Sequence, residues 1–121
     1  MTVPHVPILS PDQLPISLGT HLDGRSKTVV SDLINPHGFV VFRGYGVSSD
    51  QEFHDFIECF GLPNFTYAES FSNAVRRNRT PRVFTANEAP PEIEIFLHHE
   101  MAQTLVFPGQ LFFFCEQAPT E

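Results

Sequence analysis

Residues 92–98 (Glu-Ile-Glu-Ile-Phe-Leu-His) place Ile93, Ile95 and Leu97 at every second position. A period of two belongs to extended backbone with one face buried, and no helix reproduces it. The alternation therefore predicts a strand with Ile93, Ile95 and Leu97 on one face and Glu94, Phe96 and His98 on the other. Carried two residues further, it projects His98 and Glu100 to the same side, while His99 points to the opposite face.

The surrounding chain reads as β as well. Val83-Phe84-Thr85 is a short strand candidate, Ala89-Pro90-Pro91 turns the chain, and Thr104 to Phe107 extends. Pro108-Gly109 turns again, and Leu111-Phe-Phe-Phe-Cys115 reads as a buried strand. Upstream, Gly38 to Tyr45 is β-branched and aromatic and predicts another strand. Thirteen phenylalanines and no tryptophan suit the packing layers of short strands. Two helices interrupt the pattern. Residues 26–34 put Val29, Val30, Leu33 and Ile34 on one side, with Asn35-Pro36-His37-Gly38 as the stop. Ser49 and Glu52 have capping-box spacing ahead of Phe53, Phe56, Ile57 and Phe60, one apolar face closed by Gly61 and Pro63. Pro4, Pro7, Pro11 and Pro15 make residues 1–20 an irregular arm. Residues 62–82 read as a long loop, and the domain proper spans 21–121.

Composition removes several classes of function. A length of 121 residues allows one domain, and 41% hydrophobic residues suffice for a core. The net charge of -7 disfavours a phosphate-backbone binder. No apolar run reaches the roughly 20 residues of a membrane span. The N-terminus has neither the basic start nor the apolar run of a signal peptide. Cys59 and Cys115 form no CxxC pair, and a reducing cytoplasm with two buried thiols is the expectation.

An imidazole and a carboxylate converging at a strand end can supply two of the three ligands of a 2-His-1-carboxylate site for Fe(II). The tripeptide His-x-acid is weak by itself. With 6 histidines and 14 acids in the chain, chance gives about 0.7 matches. A second match, His21-Leu22-Asp23, lies among turn residues. At the level of spacing, His98 and Glu100 read as metal ligands or as polar residues at an exposed strand end.

The longer string carries more. Arg82-Val-Phe-Thr-Ala-Asn-Glu-Ala-Pro-Pro91, His98-His-Glu-Met-Ala-Gln103 and Leu111-Phe-Phe-Phe-Cys-Glu116 follow one another in order. Together with Phe42-Arg43-Gly44 and Phe60-Gly61, they resemble the N-terminal part of the TauD/TfdA superfamily in its clavaminate synthase-like branch. The resemblance covers residues from about 38 to 121. It implies the N-terminal, incomplete portion of a double-stranded β-helix (jelly roll), mainly β with flanking helices. It further implies an Fe(II)- and 2-oxoglutarate-dependent oxygenase that oxidises a C–H bond of a small molecule, with His98 and Glu100 as metal ligands. In that family the decarboxylation of 2-oxoglutarate to succinate accompanies substrate oxidation. The protein's part is placement and exclusion of water.

The same resemblance places a co-substrate-binding Thr, the third metal ligand (a His) and the Arg that pairs with 2-oxoglutarate at positions beyond residue 121. His5, His21, His37 and His54 all lie upstream and match none of them. The expectation is a shortened member without turnover of its own. Two other readings stand beside it. One is a non-catalytic partial jelly-roll interaction module that self-associates through open sheet edges and uncovered Phe faces. The other is a cupin-type Zn or Mn enzyme, for which further ligands are not found. Arg76, Arg77, Arg79 and Arg82 read either as attracting an anionic substrate or as a solvated loop, the latter favoured. Asn87 reads as a turn residue.

Overall fold

A computed structural model describes residues 5–65 and 76–120. The chain divides into two compact units, Met1–Leu62 and Pro63–Glu121.

In the first unit Ile8–Leu9 forms β1, Gly24–His37 α1, Val41–Phe42 β2 and Asp50–Glu58 α2. Strands β1 and β2 pair in parallel, Ile8 with Val41 and Leu9 with Phe42. The Val41 N–H donates to the Pro7 carbonyl and the Arg43 N–H to that of Leu9, both at 2.9 Å. A parallel pair needs a long crossover, and α1 lies within it. Part of the Pro-rich arm is therefore sheet, with Pro7, Leu9 and Leu14 buried. The strand expected over Gly38–Tyr45 shrinks to two residues. Pro7 and Pro11 bracket the partner segment, and Gly44 and Gly46 turn the chain away at φ 80° and 71°.

Asp23 starts α1, its Oδ1 accepting the Ser26 N–H at 2.7 Å. The helix runs through Pro36 instead of stopping before it and ends at Gly38 in the left-handed conformation, φ 80°. In the last turn Pro36 removes the hydrogen bond to Asp32, whose backbone lies on an exposed face where water can serve it. Val30 is buried, and Val29, Leu33 and Ile34 are half-buried beside it.

In α2, Ser49 accepts the Glu52 N–H at 3.1 Å. The return bond of the expected capping box shifts by one residue. Glu52 Oε2 accepts from both the backbone N–H and the hydroxyl of Ser48, each at 2.8 Å. The Ser48 backbone N–H is the main reason the Glu52 carboxyl sits below the usual carboxylate range. Phe56, Ile57 and Phe60 are buried on the predicted face. Phe56 stands edge-on to Phe42 at 5.2 Å and to Tyr45 at 5.7 Å, and Phe60 joins Phe42 at 5.8 Å. Tyr45 donates its hydroxyl to the Leu14 carbonyl at 2.7 Å, and burial raises its pKa. Cys59 is fully buried.

The second unit departs further from the expected mainly-β fold. Its described residues hold a single isolated bridge, Asn78 with Phe84, antiparallel. A tight turn closes it: the N–H groups of Arg79 and Thr80 donate to Val83 O at 2.7 and 3.0 Å. The predicted strands over 92–98, 104–107 and 111–115 carry no strand pairing. The reason is lateral. Alternation only prepares a face, and a strand exists when a neighbour accepts its N–H groups. Ile93, Ile95, Leu97, Leu105, Val106, Phe107 and Phe113 are exposed. Residues 111–115 keep a period of two, with Phe112 and Phe114 half-buried and Leu111, Phe113 and Cys115 exposed. This segment is therefore extended and one-sided rather than buried, and Cys115, expected as a buried thiol, faces solvent. The loop expected over 62–82 falls in part on 66–75, outside the described residues.

Candidate metal centre

The sequence expectation brought His98 and Glu100 together through extended backbone. In the structure residues 94–99 carry no helix or strand pairing, and the chain turns from Glu100. Met101 follows with φ 60° and its side chain buried. A left-handed residue with a Cβ costs about 1–2 kcal/mol, and such positions persist where their surroundings hold them. Here the hold is visible. The Ala102 N–H donates to His99 O at 3.2 Å and the Thr104 N–H to Met101 O at 3.0 Å. The Thr104 hydroxyl sits 2.9 Å from the Met101 carbonyl and 2.6 Å from that of Val106.

Just ahead of this turn two donors face each other. His98 Nε2 lies 3.9 Å from Glu100 Oε2. A first-row divalent ion about 2.1 Å from each donor can join atoms up to about 4.2 Å apart, so one ion can reach both. Each side chain is also tied at its other polar atom. His98 Nδ1 lies 2.7 Å from the Phe96 carbonyl. A carbonyl only accepts, so Nδ1 carries a proton, and the tautomer with that proton alone has its lone pair on Nε2. Glu100 Oε1 accepts from Arg76 Nη2 at 3.1 Å, with the two side chains 15% and 19% exposed. His99 takes another course, its ring edge-on to Phe107 at 5.4 Å.

The arginines of residues 76–82 divide. Arg76 pairs with Glu100, and Arg77 grips both oxygens of Glu88 at 2.6 and 3.0 Å. That grip lowers the Glu88 pKa and raises that of Arg77. Arg77 and Arg79 are exposed, while Arg76 and Arg82 are half-buried, so the favoured solvated-loop reading describes part of the cluster. Asn87 is exposed and forms no assigned turn. Sequence reasoning missed the pairing of Arg76 with Glu100. The two lie 24 residues apart, and no periodicity connects them.

An imidazole nitrogen and a carboxylate oxygen form a donor pair suited to Fe(II) and other first-row ions. Among the described residues, no group of three or more His, Cys, Asp or Glu side chains could hold a metal ion. No helix among them is long and apolar enough to cross a membrane.

Comparison with known proteins places the chain in a lineage. The chain is 42% identical over 106 residues to the clavaminate synthase-like protein At3g21360 of Arabidopsis thaliana, covering 88% of this chain and 32% of that one. It is 27% identical over 116 residues to the dapdiamide synthesis protein DdaC of Enterobacter agglomerans, covering 95% of this chain and 33% of the relative. It thus spans about a third of the length of these curated relatives. No solved structure matches it. The family model described as taurine catabolism dioxygenase TauD, TfdA family matches residues 6–121, and on these grounds the chain belongs to the TauD/TfdA family of dioxygenases.

Proposed function

We propose that this chain forms the N-terminal part of a jelly-roll oxygenase dependent on Fe(II) and 2-oxoglutarate, with His98 and Glu100 as two of its iron ligands and a small molecule as substrate. The observation that carries this reading is the 3.9 Å approach of His98 Nε2 to Glu100 Oε2 in a chain of this family. The donor chemistry fits: one imidazole nitrogen and one carboxylate oxygen, on side chains each held by a hydrogen bond at the other polar atom. Fe(II) with 2-oxoglutarate, when bound, supplies the oxidation of a C–H bond by molecular oxygen.

The chain's own residues do the placing. The Phe96 carbonyl keeps the His98 proton on Nδ1 and so presents Nε2 to a metal. Glu100, two residues on, turns Oε2 toward the same point. On this reading the third ligand and the residues that hold 2-oxoglutarate come from outside residues 1–121. Two donors hold an ion weakly, so the 121-residue chain alone is expected to form no succinate from 2-oxoglutarate with iron and oxygen. It is nonetheless expected to bind Mn(II), a silent stand-in for Fe(II), with paramagnetic broadening centred on the His98 ring and the Glu100 amide. His98→Ala and Glu100→Ala should each abolish that local broadening. Succinate formation by the isolated chain would refute the assignment of the missing groups, and broadening indifferent to both substitutions would refute the ligands.

A second reading is favoured by one observation, the exposure of Leu97, Leu105 and Phe113. Side chains of this kind promote association, as in a non-catalytic interaction module. A metal-independent oligomer that persists in the Glu100→Ala variant supports this alternative.

A further inference from the structure

We propose that Arg76 is a positioning residue for the metal site. It holds Glu100 by Oε1, so that the carboxylate meets a metal through Oε2 alone. The proposal rests on the reading of Glu100 as an iron ligand and adds the residue that aims it.

The geometry carries the argument. A carboxylate can bind a metal through one oxygen or both, and the choice decides how many coordination positions remain for substrates. Here the two oxygens are already differentiated. Oε1 takes the Arg76 guanidinium at 3.1 Å, and Oε2 is the one turned toward His98 Nε2. The arrangement repeats at the imidazole, where the Phe96 carbonyl takes Nδ1 and leaves Nε2 directed at Glu100. Both side chains are thus held at one polar atom, and their other polar atoms face each other at 3.9 Å, as expected where outer partners orient metal ligands.

The pair has the makings of a durable anchor. Arg76 and Glu100 are both largely withdrawn from solvent, where a charge-assisted hydrogen bond is stronger than at the surface. A guanidinium is planar and always charged, so it can fix the plane of the carboxylate as well as its position. It also cannot ligate a metal, so it competes for one carboxylate oxygen without competing for the coordination sphere.

The experiment is a Mn(II) titration of the full chain followed by residue-resolved NMR broadening. It compares wild type with Arg76→Ala, Arg76→Lys and Glu100→Ala, each first checked for an unchanged spectrum in the absence of metal. Arg76→Ala is expected to weaken apparent Mn(II) affinity about 10–100-fold. Arg76→Lys should fall between, because an ammonium keeps the charge and loses the planar fork. Added guanidinium ion should restore part of the Arg76→Ala loss and leave Glu100→Ala unchanged, a response that a general loss of packing would not give. Should Arg76→Ala fail to hold its fold, Arg76→Lys with its intermediate affinity still decides the matter. An affinity for Arg76→Ala within about twofold of wild type, while Glu100→Ala has lost the broadening, overturns the role of Arg76 alone. Tighter binding in Arg76→Ala would make the arginine a competitor and overturns it too. Broadening that survives in Glu100→Ala overturns the ligand reading itself.

Discussion

Three phenylalanines of the first unit and two of the second meet opposite fates. In the first, Phe42, Phe56 and Phe60 close on one another within 6 Å, centroid to centroid. In the second, Phe96 and Phe113 lie 73% and 85% exposed. The difference is one of backbone. Helices α1 and α2 satisfy their own N–H and C=O groups, so their apolar faces are ready to pack as soon as they form. An alternating segment satisfies nothing by itself and holds its face only when neighbours line up beside it. Residues 92–98 have the pattern of a strand without the pairing.

The largest test of this contrast is stability. Phe56→Ala should cost about 3–5 kcal/mol, enough to unfold the first unit, as read by urea denaturation followed in far-UV circular dichroism. Phe113→Ala should move the same transition by no more than about 0.5 kcal/mol. Equal effects from the two substitutions would erase the distinction. Next in size is association. Replacing Leu97 and Leu105 by serine is expected to shift the chain toward monomer in sedimentation at rising concentration, with helical content unchanged.

The smallest effect lies in acid. The Ser26 backbone N–H, first among the causes, holds the Asp23 carboxyl below the usual carboxylate range. A carboxyl whose folded pKa is depressed contributes stability that is complete above its unfolded value and is lost as pH falls through the folded value. The contribution of Asp23 to α1 therefore begins to fall below about pH 4 and is gone only below the lower, folded value. Asparagine caps equally well without titrating, so Asp23→Asn should flatten the acid limb of the helix signal, leaving neutral pH unchanged.

Sequence could show what depends on near neighbours. Ser49, Glu52 and the spacing of Phe56, Ile57 and Phe60 foretold α2, because caps and helical faces are written within one or two turns. The end of α1 was displaced because one proline in a last turn forfeits a single bond, less than the pattern suggested. The pairing of Ile8 with Val41 was hidden, since a strand of two residues inside a proline-rich tail has no period to detect. The strands expected after Arg82 failed for the converse reason: a clear period exists, and the partners that would use it are not among the described residues. At the candidate centre, alternation pointed to His98 and Glu100 sharing a side. The structure has Nε2 and Oε2 3.9 Å apart, immediately ahead of a turn around Met101 that alternation does not contain. Arg76 had no local signature at all.

The parallel register of Leu9 with Phe42 also carries an expectation for the order of folding. Bringing distant segments together costs loop-closure entropy, which grows only slowly with loop length, and a helix formed within the loop shortens the stretch that must be searched. The expected order is helix α1 first and the tail last, like a latch dropped after the door is shut, and substitution effects on folding and unfolding rates check it. Changes that strengthen α1 should therefore speed docking, and changes at Ile8 or Leu9 should chiefly hasten its release.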